Sequence, residues 1–204
     1  MRGAGGSLVG APPRWRLVVI GTSLGGFTAL PTILRGLPED FRCPVVVVQH
    51  RAIHADDLSL VAAYQRGCAL EVREAEDKDP LMPGRVYLAP ADYHVMVEDG
   101  HLTLSTEARV LHARPSIDVL FESAAESHRK RVVGVVLTGA SRDGVHGCQA
   151  IKRHGGVVIV QEPSSAESKM MPGSVLGAVA VDRVLLLPQI AQCLVLHSLT
   201  PVPQ

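Results

Sequence analysis

Short runs rich in valine and isoleucine, each followed by a turn and a helical pattern, set what this chain can fold into. Residues 17–20 (LVVI), 44–49 (PVVVVQ), 131–137 (RVVGVVL) and 157–161 (VVIVQ) are continuous apolar segments of strand length. β-Branched side chains suit a pleated backbone, and the lack of polar alternation marks strands covered on both faces. Helical patterns over 27–34, 56–68, 116–128, 145–154, 172–176 and 188–196 fall between and after them, and 71–75, 85–88 and 181–187 read as further strands. Residues 95–98 and 101–104, joined by Asp99-Gly100, read as an antiparallel hairpin, because Asp-Gly suits a type I′ turn. Strands alternating with helices predict an α/β fold. Its doubly wound, mostly parallel sheet carries helices on both faces and an antiparallel hairpin at one edge.

Composition narrows the class. With 20 Lys+Arg against 20 Asp+Glu, the chain offers no basic field for nucleic acid or an anionic membrane surface. Aromatic residues at 3% argue against base-stacking platforms, and no apolar run reaches membrane-spanning length. The 204 residues suit one domain over 15–199, with a Gly/Ala/Pro tail at 1–14 expected to be disordered and a short tail at 200–204. Cys43, Cys68, Cys148 and Cys193 are widely spaced and form no C-x-x-C pair, which fits buried thiols in a reduced, cytoplasmic protein.

The turn Gly21-Thr22-Ser23-Leu24-Gly25-Gly26 follows the first strand and precedes a helix. Three readings compete for it. A dinucleotide fingerprint needs a middle glycine where Ser23 stands, and the acid expected after the next strand is replaced by Gln49-His50. The pattern G-x-S-x-G presents a nucleophilic serine. An ordinary helix cap is the third reading. Ser23, His50 and Asp143 each lie just beyond the carboxyl end of an expected strand, where ligand crevices form in such sheets. A serine hydroxyl needs a neutral imidazole to take its proton and a carboxylate to orient that imidazole, and these residues supply all three groups. Taken singly, His50 also reads as a half-buried histidine and Asp143-Gly144 as a plain turn. His50, His54 and Asp56 are a metal alternative, but no further cluster at ligand spacing supports it, so no metal is expected.

Several blocks carry a resemblance: GTSLGG from Gly21, VVVVQH ending at His50, VYLAPADYHV from Val86, RPSIDVLFESAA from Arg114, LTGASRDG ending at Gly144 and QEPSSA from Gln161. In this order they resemble the catalytic domain of the chemotaxis receptor protein-glutamate methylesterases, the CheB type, over about 16–196. The resemblance implies hydrolysis of glutamate γ-methyl esters on chemoreceptor signalling helices, deamidation of receptor glutamines in many members, and no cofactor. It puts the triad on Ser23, His50 and Asp143, and the oxyanion and pocket positions on Leu24, Ala140 and Met171. Methylated receptor helices are the implied partner, with a separate receiver or kinase protein as a further candidate. The chain departs from the family pattern at Leu24 (commonly Thr), at Ala140-Ser141 (commonly Met-Gly) and at Arg51-Ala52 (commonly Met-Pro). Residues 1–15 are too short for the receiver domain that restrains typical members, so phosphodonor-independent activity is expected. A catalytically idle receptor-docking module and a nucleotide-binding regulator are the rival functions; the intact trio disfavours the first and Ser23 the second.

Overall fold

In the computed structural model, which describes residues 16–51 and 57–199, the apolar runs become the middle of a seven-stranded sheet. The first half of the chain forms β1 (Leu17–Thr22), α1 (Gly26–Leu34), β2 (Val45–Gln49), α2 (Asp57–Gln65), β3 (Glu71–Glu74) and β4 (Arg85–Leu88). A hairpin, β5 (His94–Glu98) and β6 (His101–Ser105), leads into α3 (Ile117–His128) and β7 (Val132–Val136). The chain continues through α4 (Val145–Arg153), β8 (Val157–Gln161), α5 (Met170–Ala178), β9 (Arg183–Leu185) and α6 (Leu187–Leu199). The tails expected at 1–14 and 200–204, together with Ala52, His54 and Asp56, lie outside the described residues.

The strand order is β3-β4-β2-β1-β7-β8-β9, with parallel pairing throughout. Alternation along β1 feeds two cores. Val18 and Ile20 pack with Leu30 and Ile33 of α1 and Leu194 of α6, while Leu17 and Val19 pack with Phe121 of α3, Ile151 of α4 and Val175 of α5. Burying a large aliphatic side chain contributes about 1.5–3 kcal/mol, so strands covered on both faces carry much of the stability. Close approach of helix to sheet depends on glycine. A Cβ at Gly21 would come within 2.5 Å of Ile117, and one at Gly134 within 2.5 Å of Ile151.

The hairpin forms where expected, and positive φ at Asp99 and Gly100 gives its type I′ turn. It is a two-stranded sheet of its own and does not extend the main one. Its apolar face, Val95, Val97 and Leu102, is buried in the core shared with α3. Backbone bonds from Lys78 to Leu102, from Leu102 to Asp79 and from Leu81 to Gly100 tie it down. The chain winds outward from β1 through β2, then crosses to β7 and winds the other way, so a crevice opens at the carboxyl ends of these strands.

Candidate active site

Ser23 sits in the turn between β1 and α1, half-buried, and its N–H donates to Thr138 O at 3.0 Å. The turn is stitched to the loop after β7. Thr22 Oγ1 donates to Thr138 O at 2.9 Å, and Thr138 Oγ1 donates to Leu24 O at 2.9 Å. Gln161 at the end of β8 holds the Thr138 N–H at 2.9 Å. Gly25, with φ +85°, caps α1 in a conformation that favours glycine. These bonds fix the serine from the β7 and β8 side of β1, and the His50 N–H, donating to Thr22 O at 3.0 Å, does so from the β2 side.

His50 follows β2, whose end is braced by a hydrogen bond from the Tyr64 hydroxyl to Gln49 Oε1. Its Nε2 lies 2.8 Å from Asp143 Oδ2. Asp143 is fully buried, and both carboxylate oxygens are saturated. Oδ2 accepts from His50 and from the Ile117 N–H at 2.7 Å, while Oδ1 accepts from the Asp118 N–H and the Ser116 hydroxyl, each at 2.9 Å. Burial works to raise the Asp143 pKa, but the His50 hydrogen bond and the N–H groups of Asp118 and Ile117 outweigh it and hold the carboxyl below its usual range. An ionised acceptor demands a donor, so Nε2 carries the ring proton and Nδ1 is left as the basic nitrogen. Ser23, His50, Ala140 and Ser141 line one cavity of about 320 Å³.

The other expected positions behave differently from one another. Among the described residues, the backbone N–H groups of Leu24 and Ala140 donate no hydrogen bond. The Leu24 side chain points outward and is exposed. Met171 does not wall the open crevice as anticipated. Its side chain is fully buried against Gly139, where an added Cβ would meet the Met171 methyl at 2.6 Å and Ser23 Cβ at 3.0 Å. It supports the serine from beneath, and Met170 is the exposed member of the pair. Arg51 is spent locally: its guanidinium donates to Ala89 O at 2.5 Å and lies 3.6 Å from Glu74.

Sequence reasoning missed the support around Asp143. Ser116 caps α3, and its hydroxyl also donates to the carboxylate. Its N–H donates to His94 Nδ1 at 3.2 Å, and His94 Nε2 bonds Ala108 O at 3.1 Å, so a buried histidine at the start of the hairpin positions the cap. Asp118 returns the favour Asp143 does to α3. Its Oδ1 accepts the N–H groups of Gly144 and Gly147 at 2.9 and 2.7 Å, at the start of α4. Burial and, less strongly, the charge of Asp143 push the Asp118 carboxyl up to about 6, against the lowering effect of the Gly147 N–H. The Pro-Ser-Ile-Asp run was the only signal in the sequence.

A doubly wound α/β fold that brings a serine, a histidine and a buried carboxylate to its switch point marks a class of α/β proteins with a polar crevice at the carboxyl ends of the strands, and comparison with known proteins narrows it further. The profile of the family described as CheB methylesterase matches residues 18–194. A relative from Leptospira interrogans is 42% identical over 179 residues, spanning 87% of this chain and 92% of its own. The "Protein-glutamate methylesterase/protein-glutamine glutaminase 2" of Anaeromyxobacter dehalogenans is 41% identical over 181 residues, spanning 89% of this chain and 53% of that protein. The crystal structure of the Thermotoga maritima CheB methylesterase catalytic domain superposes with a TM-score of 0.84 at 34% identity, covering 89% of this chain and 97% of that one. The chain belongs to the CheB methylesterase family.

Proposed function

We propose that this chain is a protein-glutamate methylesterase that hydrolyses glutamate γ-methyl esters on chemoreceptors and deamidates glutamine at the same positions. The observation that carries this reading is the Nε2–H of His50 held by a buried, ionised Asp143 in the cavity that also holds Ser23. In the first step Ser23 Oγ attacks the ester carbonyl as His50 Nδ1 takes its proton. Negative charge gathers on the carbonyl oxygen, within reach of the Leu24 and Ala140 N–H groups. Collapse breaks the bond to methoxide, which leaves as methanol with the proton from His50. Water then attacks the acyl-enzyme, giving back its proton through His50, and releases glutamate and the free serine. A glutamine side chain follows the same course and releases ammonia. None of these steps calls for a cofactor.

Among the described residues no helix is long and apolar enough to cross a membrane, and the substrate places the reaction on the cytoplasmic face of the receptor. Methanol release from methylated receptor, measured with purified protein, tests the reading. Ser23→Ala and His50→Ala should each lower turnover by about four to six orders of magnitude, without additivity, because the groups act as a unit. A Ser23→Ala variant that keeps more than about a tenth of the activity would rule this mechanism out.

A further inference from the structure

The cavity around Ser23 and His50 does not end at its own rim. Leu111 lines it and also lines a second cavity of about 260 Å³, bounded by Asp118, His146 and Ser174. Arg142, Ser174 and Ala178 belong in turn to a third cavity of about 520 Å³, completed by Lys169, Met170, Gly173 and Gly177. The shared walls make one trough, running from the serine past the 110–113 turn and along α5.

Three features of this trough bear on what it can hold. The first is the exposed face of α5, where Gly173, Ser174, Gly177 and Ala178 recur one turn apart. A Cβ on Gly173 or Gly177 would meet nothing within 4 Å, and neither residue has positive φ. Packing and turn geometry therefore do not require glycine, although glycine in a helix costs about 1 kcal/mol relative to alanine. What glycine does provide is close approach of another backbone, as small-residue helix faces do. The second is Asp118, 3% exposed, whose Oδ1 takes two N–H groups while Oδ2 makes no hydrogen bond among the described residues and lies 3.7 Å from the exposed His146 ring. His146 lines the same cavity, so this wall of the trough carries a carboxylate and an imidazole together. The third is the 110–113 turn. Leu111 and His112 hold φ of 47° and 65°, a costly conformation for side-chain-bearing residues, and this presents a half-exposed leucine beside the catalytic cavity. Val110 and Ala113 exchange backbone hydrogen bonds across it, and Arg109 and Arg114 anchor it to Asp92.

We infer that the trough seats a helix of the substrate protein, the helix that carries the reacting glutamyl side chain, laid along the small-residue face of α5. This rests on the esterase reading above. Leu111 and Met170 grip apolar side chains at the two ends of the seat. Arg142 and Lys169 face the acidic side chains of a helix on which every turnover leaves another carboxylate. Helices with small residues between them approach to about 8 Å, close enough for an ester on the docked helix to reach into the adjoining cavity.

The test compares two substrates, intact methylated receptor and N-acetylglutamate γ-methyl ester, on wild type, Gly173→Leu, Gly177→Leu and Lys169→Glu. Both leucines fill open space on an exposed helix face, so folding is retained, which circular dichroism and thermal melts check. Expected is a fall of about thirtyfold or more in the ratio of kcat/KM on receptor to kcat/KM on the small ester for either leucine variant, and about tenfold for Lys169→Glu. An unchanged ratio with active protein overturns the trough while leaving the esterase reading intact. A wild type that releases methanol from neither substrate overturns the esterase reading and the trough with it. A leucine variant that changes oligomeric state assigns the face to a second copy of this chain and overturns the proposal.

Discussion

Asp143 and Asp118 share one corner of the fold, and their environments push them in opposite directions. Asp143 is lowered because four donors converge on it; Asp118 is raised because burial and its charged neighbour outweigh the Gly147 N–H. The signs follow. Asp143 adds stability above the ordinary carboxyl range of about 4, lost as pH falls through its lower folded value. Asp118 does the reverse: its proton favours the folded state below about 4, and that stability is lost as pH rises through about 6. Asp118→Asn keeps an oxygen for the Gly144 and Gly147 N–H groups and removes the ionisation. Its melting temperature relative to wild type should therefore climb between about pH 4 and pH 7, and a pH-independent difference would contradict this account. Asp143→Asn should lower turnover less than loss of Ser23 or His50, because nucleophile and base remain. Ser116→Ala loses one donor to Asp143 and the α3 cap together, so a stability loss of about 1 kcal/mol should accompany slower turnover.

At the level of elements, α3 and α4 cross so tightly that glycine is required. A Cβ at Gly147 would lie 2.4 Å from Phe121 Cβ and 3.2 Å from Asp118 Cα. Gly147→Ala should force the helices apart, cost about 1–3 kcal/mol or more in chemical denaturation and slow catalysis by shifting Asp143. Gly173→Ala in the open face of α5 should instead raise stability, by up to about 1 kcal/mol. Nothing in the local sequence distinguishes these two helical glycines. Elements with a strong one-dimensional signal were legible: the buried runs of β1, β2, β7 and β8, and α3 with its serine cap. Weaker signals blurred. The expected strand over 181–187 shrinks to Arg183–Leu185, because it forms the exposed outer edge of the sheet, and α5 begins at Met170, two residues before its proline. Ser23, His50 and Asp143 were legible because each follows a strand within a distinctive turn. His94, Ser116 and Asp118 were not, since their roles arise where β5, α3 and the start of α4 meet, joining residues 22 to 29 positions apart.

On the scale of the whole molecule, the doubly wound sheet gathers its chemistry at one edge and leaves the cysteines inside. Cys43, Cys68, Cys148 and Cys193 are all buried and form no disulfide, and burial raises each thiol, Cys43 to about 12. Ellman's reagent at about pH 8 should therefore leave Cys43 and Cys148 untouched in the native protein and titrate them only as it unfolds; rapid labelling of either without unfolding would contradict the packing described. The mutual capping of α3 and α4 has a kinetic counterpart. Asp143 closes the start of one helix and Asp118 the start of the other, so fraying either end strips acceptors from both. The amide protons of Ile117, Asp118, Gly144 and Gly147 should accordingly exchange with solvent deuterium as one cooperative group, at a common rate. On the proposed mechanism Asp143 is a member of that group, so whatever event releases those four amides should also slow the chemistry.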